Sequence, residues 1–318
     1  MTGSPLVLVI GAEDDPQLGM LHGLPHAVVH KAGELNAAPR NASAIFYWTG
    51  PRDLLREAFL ANPGVRWVHS RNAGLDNFFF PELIESPVQV TNSSGVFSQS
   101  LGEFALAMVL YFAKDFPRML GNKAAHRWEQ FDVDAIDGQT MGIVGYGDIG
   151  RAVARRAHAM GMKILALKRH GPAGGDPVIE QFFTPNELHA MLARCDYVVA
   201  SAPLTVETRH MISVAEFAAM KPGAVVINVG RGPVIDQAAL IRALEEKKIR
   251  GAGLDVFEHE PIPADDPIWD FENVFISPHS VDHTRDWLEQ AVRFFLEQYE
   301  RFRKGEPLKN IVNKQLGY

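Results

Sequence analysis

Gly145, Gly147 and Gly150 stand in the spacing G-x-G-x-x-G, within the run Met141-Gly142-Ile143-Val144-Gly145-Tyr146-Gly147-Asp148-Ile149-Gly150. The apolar residues before them read as a buried strand. The Ala- and Arg-rich stretch Asp148–Met160 after them reads as a helix, with Gly161 as its C-terminal cap. In such a turn the first glycine permits a tight bend, the second leaves room for backbone to approach a diphosphate, and the third lets helix pack on strand. Amides at the helix start then face the diphosphate, and the helix dipole favours that charge. The spacing alone also fits ordinary tight turns. Strand before and helix after make it a dinucleotide site lined by Gly145, Tyr146, Gly147, Asp148, Ile149 and Gly150.

Other residues carry chemistry by type and place. Arg231 follows an expected strand, Ala224–Val229, at the edge where open α/β sheets bind ligands. Its planar fork pairs with a carboxylate and stays charged, although a lone arginine there also fits a surface salt bridge. Among 12 histidines, His279 stands out because Pro278-His279 follows the last expected strand. Imidazole titrates near neutrality and can give or take a proton. A carboxylate beside it would fix its tautomer and favour its charged form, and Glu258 and Glu260 both compete for that role. Asp255, at a strand end, fits either a solvated acid or a functional one. Ser70-Arg71-Asn72-Ala73-Gly74-Leu75-Asp76-Asn77 also follows a strand, and fits a plain turn around Gly74 as well as a ligand loop.

The elements that position these residues read as two α/β units. In the first, strands are expected at Leu6–Ile10, Ala27–His30, Ala44–Tyr47, Arg66–His69 and Val88–Thr91, with a helix at Asp53–Ala61. That alternation predicts a parallel sheet covered on both faces. Ser100-x-x-Glu103 predicts a capping box opening a helix, apolar on all sides from Phe104 to Ala113 and therefore buried. Arg118–Trp128 is a further expected helix. In the second unit, strands are expected at Met141–Gly145, Lys163–Leu167, Tyr197–Ser201, Ala224–Val229, Ala252–Val256 and Val274–Ser277. Helices are expected at Asp148–Met160, Asn186–Arg194, Ser213–Met220 and Gln237–Glu246, which predicts a doubly wound sheet with right-handed crossovers. A last helix is expected at Leu288–Arg303.

Composition sets bounds on these readings. The chain has 318 residues and a net charge of −7, long enough for two domains and without general attraction to nucleic acid or anionic membrane. The single cysteine, Cys195, excludes a disulfide within the chain, favours a cytoplasmic setting and reads as a small core residue. The longest apolar run, Phe104–Ala113, is too short to span a bilayer. No metal is called for.

Several stretches together resemble the D-isomer-specific 2-hydroxyacid dehydrogenases. They are Gly145–Gly150; Ala202-Pro203-Leu204-Thr205 with Glu207-Thr208; Asn228-Val229-Gly230-Arg231-Gly232; Gly251 to Pro261, which includes Asp255, Glu258 and Glu260; Pro267-Ile268-Trp269; and Pro278-His279. The resemblance implies two doubly wound parallel-sheet domains: a Rossmann cofactor domain over 100–288, and a flavodoxin-like, discontinuous substrate domain over 1–99 and 289–318. The helix opened by Ser100 would be a hinge and much of a homodimer interface. Homologues close a cleft between the domains on binding. The implied reaction is hydride transfer between NAD(P)H and a small 2-keto acid or D-2-hydroxy acid, such as glyoxylate or hydroxypyruvate.

That reaction needs a carboxylate held, a ketone polarised and an alkoxide protonated. Arg231 suits the first two demands and His279 the third, and the resemblance selects Glu260, directly before Pro261, as the acid that orients His279. It assigns backbone amides around Ala73, Gly74 and Leu75 to the substrate carboxylate, and Pro203, Thr205, Val229 and Asp255 to the neighbourhood of the cofactor. Trp48 fits a wall of the side-chain pocket or an ordinary half-buried aromatic.

Two departures stand out. Relatives that prefer NAD carry an acid about 20 residues past the glycines. Here Lys168 stands 18 residues past Gly150, with Arg169 and His170 next, which predicts NADP over NAD because cations attract a 2′-phosphate. Ser280-Val281-Asp282-His283-Thr284 replaces the small residues many relatives carry, and adds a titratable pair of open role. Rival readings are a 3-phosphoglycerate dehydrogenase and a nucleotide-sensing binding protein of the co-repressor type.

Overall fold

The computed structural model describes residues 5–12, 14–169 and 175–318. The chain divides into two compact units, Met1–Phe97 with His283–Tyr318, and Ser98–Asp282. The first opens with β1 (Val7–Ile10), β2 (His26–Val29), β3 (Ala44–Tyr47), α1 (Arg52–Ala61), β4 (Trp67–Ser70), α2 (Pro81–Glu85) and β5 (Gln89–Asn92). The chain then builds the second unit. Its elements are α3 (Ser98–Ala113), α4 (Phe116–Ala124), β6 (Thr140–Val144), α5 (Asp148–Ala159), β7 (Lys163–Leu167), β8 (Gln181–Phe183), α6 (Leu188–Leu192), β9 (Tyr197–Ala200), α7 (Val214–Ala219), β10 (Val225–Asn228), α8 (Gln237–Glu245), β11 (Gly251–Leu254) and β12 (Val274–Ile276). It returns to the first unit with α9 (Trp287–Lys304).

Unit one is a five-stranded sheet in the order β2-β1-β3-β4-β5, with every pairing parallel. Its strands are runs such as Val7-Leu8-Val9-Ile10, buried on both faces, the pattern a parallel sheet requires when helices cover it on both sides. The returning helix α9 closes one face. Phe295 stacks on Phe46 with ring centres 3.9 Å apart and lies over Trp67, while the Tyr299 hydroxyl donates to the Pro5 carbonyl at 2.8 Å. Residues nearly 300 apart in sequence thus share one core.

Unit two is a seven-stranded parallel sheet, β12-β11-β10-β9-β6-β7-β8. The order reverses beside β6, which makes the carboxyl ends of β6 and β9 the topological switch point where such sheets bind ligands. Both units are therefore doubly wound α/β folds, as expected. β8 was not anticipated. It is three residues long and, among the described residues, pairs only with β7.

Three local expectations are corrected. α3 begins at Ser98, so Ser100 lies inside the helix and does not cap it; its hydroxyl instead donates to the Val281 carbonyl. α3 is also not buried all round. Leu101, Ala105, Met108, Val109 and Phe112 pack on the sheet, while Glu103 and Ala107 are exposed. The stretch expected as one helix over Asn186–Arg194 is a 3-10 turn, Pro185–Glu187, whose capping box joins Thr184 to Glu187, followed by the short α6. α5 ends with Gly161 at φ +84°, the left-handed conformation a helix C-terminus favours and glycine adopts freely.

Candidate active site

The glycine turn between β6 and α5 shows three different reasons for three glycines. Gly145 has φ +98°, and a Cβ there would lie 2.5 Å from the Ala202 backbone. A Cβ on Gly150 would lie 2.6 Å from the Gly145 carbonyl oxygen. Both glycines are demanded by the protein's own packing. Gly147 is different, since a Cβ there would meet nothing within 4 Å. Its bare backbone faces open space at the N-terminus of α5, where Gly147, as the cap residue, supplies no side-chain cap. Open space at the uncapped start of a 12-residue helix fits a diphosphate. Tyr146 is buried beside this turn. Its hydroxyl donates to Asp176 at 2.8 Å, and burial, with that carboxylate, holds the phenol well above its usual range.

The rest of the expected cofactor wall lies around this turn or at neighbouring strand ends. Lys168 follows β7 and Arg169 comes next; among the described residues Lys168 engages no carboxylate, whereas Arg169 is paired with Glu207. His170 lies outside the described residues. After β9, the Thr208 hydroxyl donates to the Pro203 carbonyl at 2.6 Å and accepts from the Thr205 amide at 2.8 Å. Val229, buried at the end of β10, donates its amide to the Ala200 carbonyl at 3.1 Å.

β10, β11 and β12 are adjacent and parallel, so the loops that leave their carboxyl ends emerge side by side. The first carries Arg231, the second Glu260, the third His279. Asn228 builds the first turn: its side-chain oxygen accepts the Gly230 amide, and its amide nitrogen donates to the Arg231 carbonyl, each at 3.1 Å. Gly232 then lies so close to the second loop that a Cβ would overlap the Phe257 carbonyl. In that second loop the Phe257 amide donates to Glu260 Oε1 at 2.9 Å. The other oxygen, Oε2, stands 2.7 Å from His279 Nδ1. Glu260 is thus fixed by backbone on one side and fixes the imidazole on the other, leaving Nε2 as the nitrogen it does not engage. Glu258 pairs with His210 at 2.6 Å and accepts the Gln237 amide. Spacing left the two glutamates equivalent; geometry separates them.

His279 has φ +53°, a left-handed conformation that costs a non-glycine residue of order 1–3 kcal/mol and that clusters at functional sites. The loop is held there by Asp255. Its Oδ1 accepts the Ser280 amide at 3.0 Å and the Val281 amide at 3.4 Å. Burial pushes the Asp255 carboxyl up, against the hydrogen bonds from Ser277 and these amides. Asp255 is a brace for the histidine loop as well as a strand-end acid.

In unit one, Ala73, Gly74 and Leu75 follow β4. Among the described residues, nothing accepts a hydrogen bond from their three successive amides. Unclaimed neighbouring amides form a concavity suited to an anion. Trp48 is fully buried, which corrects the half-buried reading, and its indole donates to Asp15. Asp282 ends unit two, whereas His283 belongs to unit one and stacks on Trp287 with ring centres 4.1 Å apart. Cys195 is buried, its thiol donating to the Met191 carbonyl at 3.1 Å. Burial pushes that thiol up to about 12, so it is core and not nucleophile. Arg71 and Asp176 were not singled out from sequence; Arg71 had a visible signal, a lone cation directly after a strand.

A glycine turn at the switch point, with a histidine–carboxylate pair and an arginine at three adjacent strand ends, defines a dinucleotide-dependent oxidoreductase. The family model for the D-isomer specific 2-hydroxyacid dehydrogenase NAD binding domain matches residues 106–280. The chain is 36% identical over 266 residues to a glyoxylate reductase of Korarchaeum cryptofilum, covering 82% of this chain and 80% of that one. It is 33% identical to a D-3-phosphoglycerate dehydrogenase of Methanocaldococcus jannaschii, covering 82% of this chain but 49% of the relative. A solved D-isomer specific 2-hydroxyacid dehydrogenase from Xanthobacter autotrophicus Py2, in complex with NADPH and MES, superposes with a TM-score of 0.84 at 30% identity, covering 99% and 100% of the two chains. The chain belongs to the D-isomer specific 2-hydroxyacid dehydrogenase family. It is an NAD(P)-dependent oxidoreductase of 2-keto acids.

Proposed function

We propose that this chain reduces small 2-keto acids, glyoxylate and hydroxypyruvate among them, to D-2-hydroxy acids with NADPH. The observation that carries the reading is the His279–Glu260 pair, 2.7 Å apart, on loops beside the Arg231 turn. The bound nicotinamide supplies a hydride to the keto carbon. Arg231 pairs with the substrate carboxylate and draws charge from the ketone; the family resemblance assigns the amides of Ala73, Gly74 and Leu75 to the substrate carboxylate as well. His279 Nε2 gives its proton to the forming alkoxide. Glu260, acting through Nδ1, keeps the ring oriented and stabilises the charged imidazolium before transfer. In oxidation the same groups run in reverse.

NADPH is favoured over NADH because Lys168 and Arg169 stand where an acid would clasp a ribose hydroxyl. The complex of the Xanthobacter relative with NADPH agrees with that reading. Gly145 to Gly150 hold the diphosphate, and Pro203, Thr205, Val229 and Asp255 flank the cofactor. The chain works in the cytoplasm as a homodimer. Among the described residues no helix is long and apolar enough to cross a membrane.

The test is NADPH oxidation followed by absorbance across a panel of 2-keto acids, with NADH as the alternative donor. Turnover of glyoxylate or hydroxypyruvate is expected, with kcat/KM at least about tenfold higher for NADPH than for NADH, a gap of roughly 1.4 kcal/mol. Oxidation with none of the panel would favour a nucleotide sensor. A tenfold preference for NADH would overturn the reading of Lys168.

A further inference from the structure

Arg71 is the first residue after β4, two positions ahead of the three unclaimed amides. Its guanidinium carbon lies 4.7 Å from the ring centre of Trp48 and 5.3 Å from that of Trp287. The indoles come from opposite ends of the chain and pack in one cluster with Ala73. Among the described residues, no hydrogen bond or ion pair engages this guanidinium. Nε is buried without a partner, so the cation's remaining hydrogen-bonding capacity lies at its two Nη groups. The nearby acid, Asp15, is turned to the Trp48 indole and acts on Arg71 only at longer range. Desolvation dominates the environment and disfavours the charge.

A half-buried cation without a hydrogen-bonded counter-ion is costly. Ring stacking offsets part of that cost, but a ring face cannot satisfy N–H donors. What remains unmet is an acceptor in the plane of the guanidinium, carrying negative charge. That is the description of a carboxylate or phosphate approaching the fork edge-on.

We infer that Arg71 is a specificity-determining residue that receives a second anionic group, the distal carboxylate or phosphate of a dianionic 2-keto acid. This rests on the proposed reductase reading, in which the amides of Ala73, Gly74 and Leu75 hold the first carboxylate. The indole walls exclude bulky apolar side chains from the fork, and His283 stacks on Trp287 with ring centres 4.1 Å apart. The preferred substrate is then larger than glyoxylate and carries charge at both ends.

The experiment compares kcat/KM for monoanions (glyoxylate, hydroxypyruvate) with that for dianions (oxaloacetate, 2-oxoglutarate, and the phosphate ester of hydroxypyruvate), in the wild type, Arg71→Met and Arg71→Lys. The wild type is expected to favour at least one dianion. Arg71→Met should lower that kcat/KM about tenfold or more through KM, the size of a lost charged hydrogen bond, and change the monoanions less than threefold. Arg71→Lys should retain part of the preference. The carboxylate and phosphate arms decide which anion is meant. A dianion-to-monoanion ratio unchanged in Arg71→Met, or an equal loss on every substrate in a variant with wild-type thermal stability, would overturn the inference. If Arg71→Met fails to fold, Arg71→Lys carries the same comparison. If no 2-keto acid is turned over, the reductase reading has failed and a binding measurement decides on Arg71 alone: malate should raise the melting temperature of the wild type and not of Arg71→Met, and equal shifts would refute it.

Discussion

Two histidines in this chain have opposite surroundings, and the proposed function gives them opposite tasks. His279 lies half-exposed, with its ring tied to Glu260 and its backbone in the left-handed region. Because that conformation is costly for any residue with a Cβ, the side chain and not the stability of the loop is the reason for histidine there. His279→Gly should therefore melt within a few degrees of the wild type, or above it, while kcat/KM falls about 10²–10⁴-fold. His279→Ala and Arg231→Ala should lose activity on the same scale. Near-normal turnover in either would remove them from the mechanism. His69 is the contrary case. It is fully buried in unit one, with Nδ1 2.7 Å from the Thr91 hydroxyl, and burial drives its pKa down from 6.5 to about 3. The unfolded ring takes a proton near pH 6.5 and the folded ring resists until about pH 3. Between these values the unfolded chain binds more protons, so acid favours unfolding; the contribution is complete above pH 6.5 and is lost as pH falls, by up to about 1.4 kcal/mol per pH unit. His69→Gln, which cannot titrate, should be less stable at pH 7 yet show a flatter decline in urea midpoint between pH 6.5 and 4. Parallel declines in the two proteins would sink the assignment.

At the scale of elements, what could be read from sequence and what could not differ for physical reasons. Strands buried on both faces announce themselves as apolar runs, and Ala44–Tyr47 and Lys163–Leu167 lie where the runs place them. β8 does not, because Gln181-Phe182-Phe183 is short and lies at the sheet edge, with one neighbour to bury it. Ser100-x-x-Glu103 has the letters of a capping box, but a cap depends on the backbone before it. The helix had already begun at Ser98. Arg231 and His279 drew notice in the sequence because each stands a few residues past an expected strand, and Glu260 only because the resemblance chose it over Glu258, whereas the isolation of Arg71 depends on Trp48 and Trp287, which meet only in the folded unit. The glycine turn carries a prediction of its own. Gly145 and Gly150 are held by packing and Gly147 by open space. Gly147→Ala should fold with a melting temperature close to the wild type and raise the KM for NADPH several-fold. Gly150→Ala should cost about 1–3 kcal/mol of stability, because its Cβ has nowhere to go. Equal destabilisation by the two substitutions would mean that Gly147 serves the turn and not a ligand.

For the whole molecule, the open question is how many chains act together, and residues 116–133 bear on it. Phe116, Met119, Leu120, Trp128 and Val133 all lie exposed along this stretch, Leu120 at 59% and Trp128 at 96%. Single exposed apolar residues are ordinary, but five within 18 positions concentrate apolar surface that a monomer would leave in water. The half-open face of α3, with Phe104, Leu106, Leu110 and Tyr111 only partly buried, belongs to the same unit. A second copy of the chain is the occupant proposed above, since an isologous contact turns one apolar patch into two mutually covering ones. Light scattering on the purified protein should then give twice the 35.2 kDa chain mass. Leu120→Glu combined with Trp128→Ser should halve it. Neither residue is packed in the core, so the monomer should keep its near-ultraviolet spectrum while losing part of its thermal stability, by an amount that depends on protein concentration in the wild type and not in the variant. A wild-type mass of 35.2 kDa across the micromolar range, or a variant that still runs as a dimer, would leave this patch without the role assigned to it.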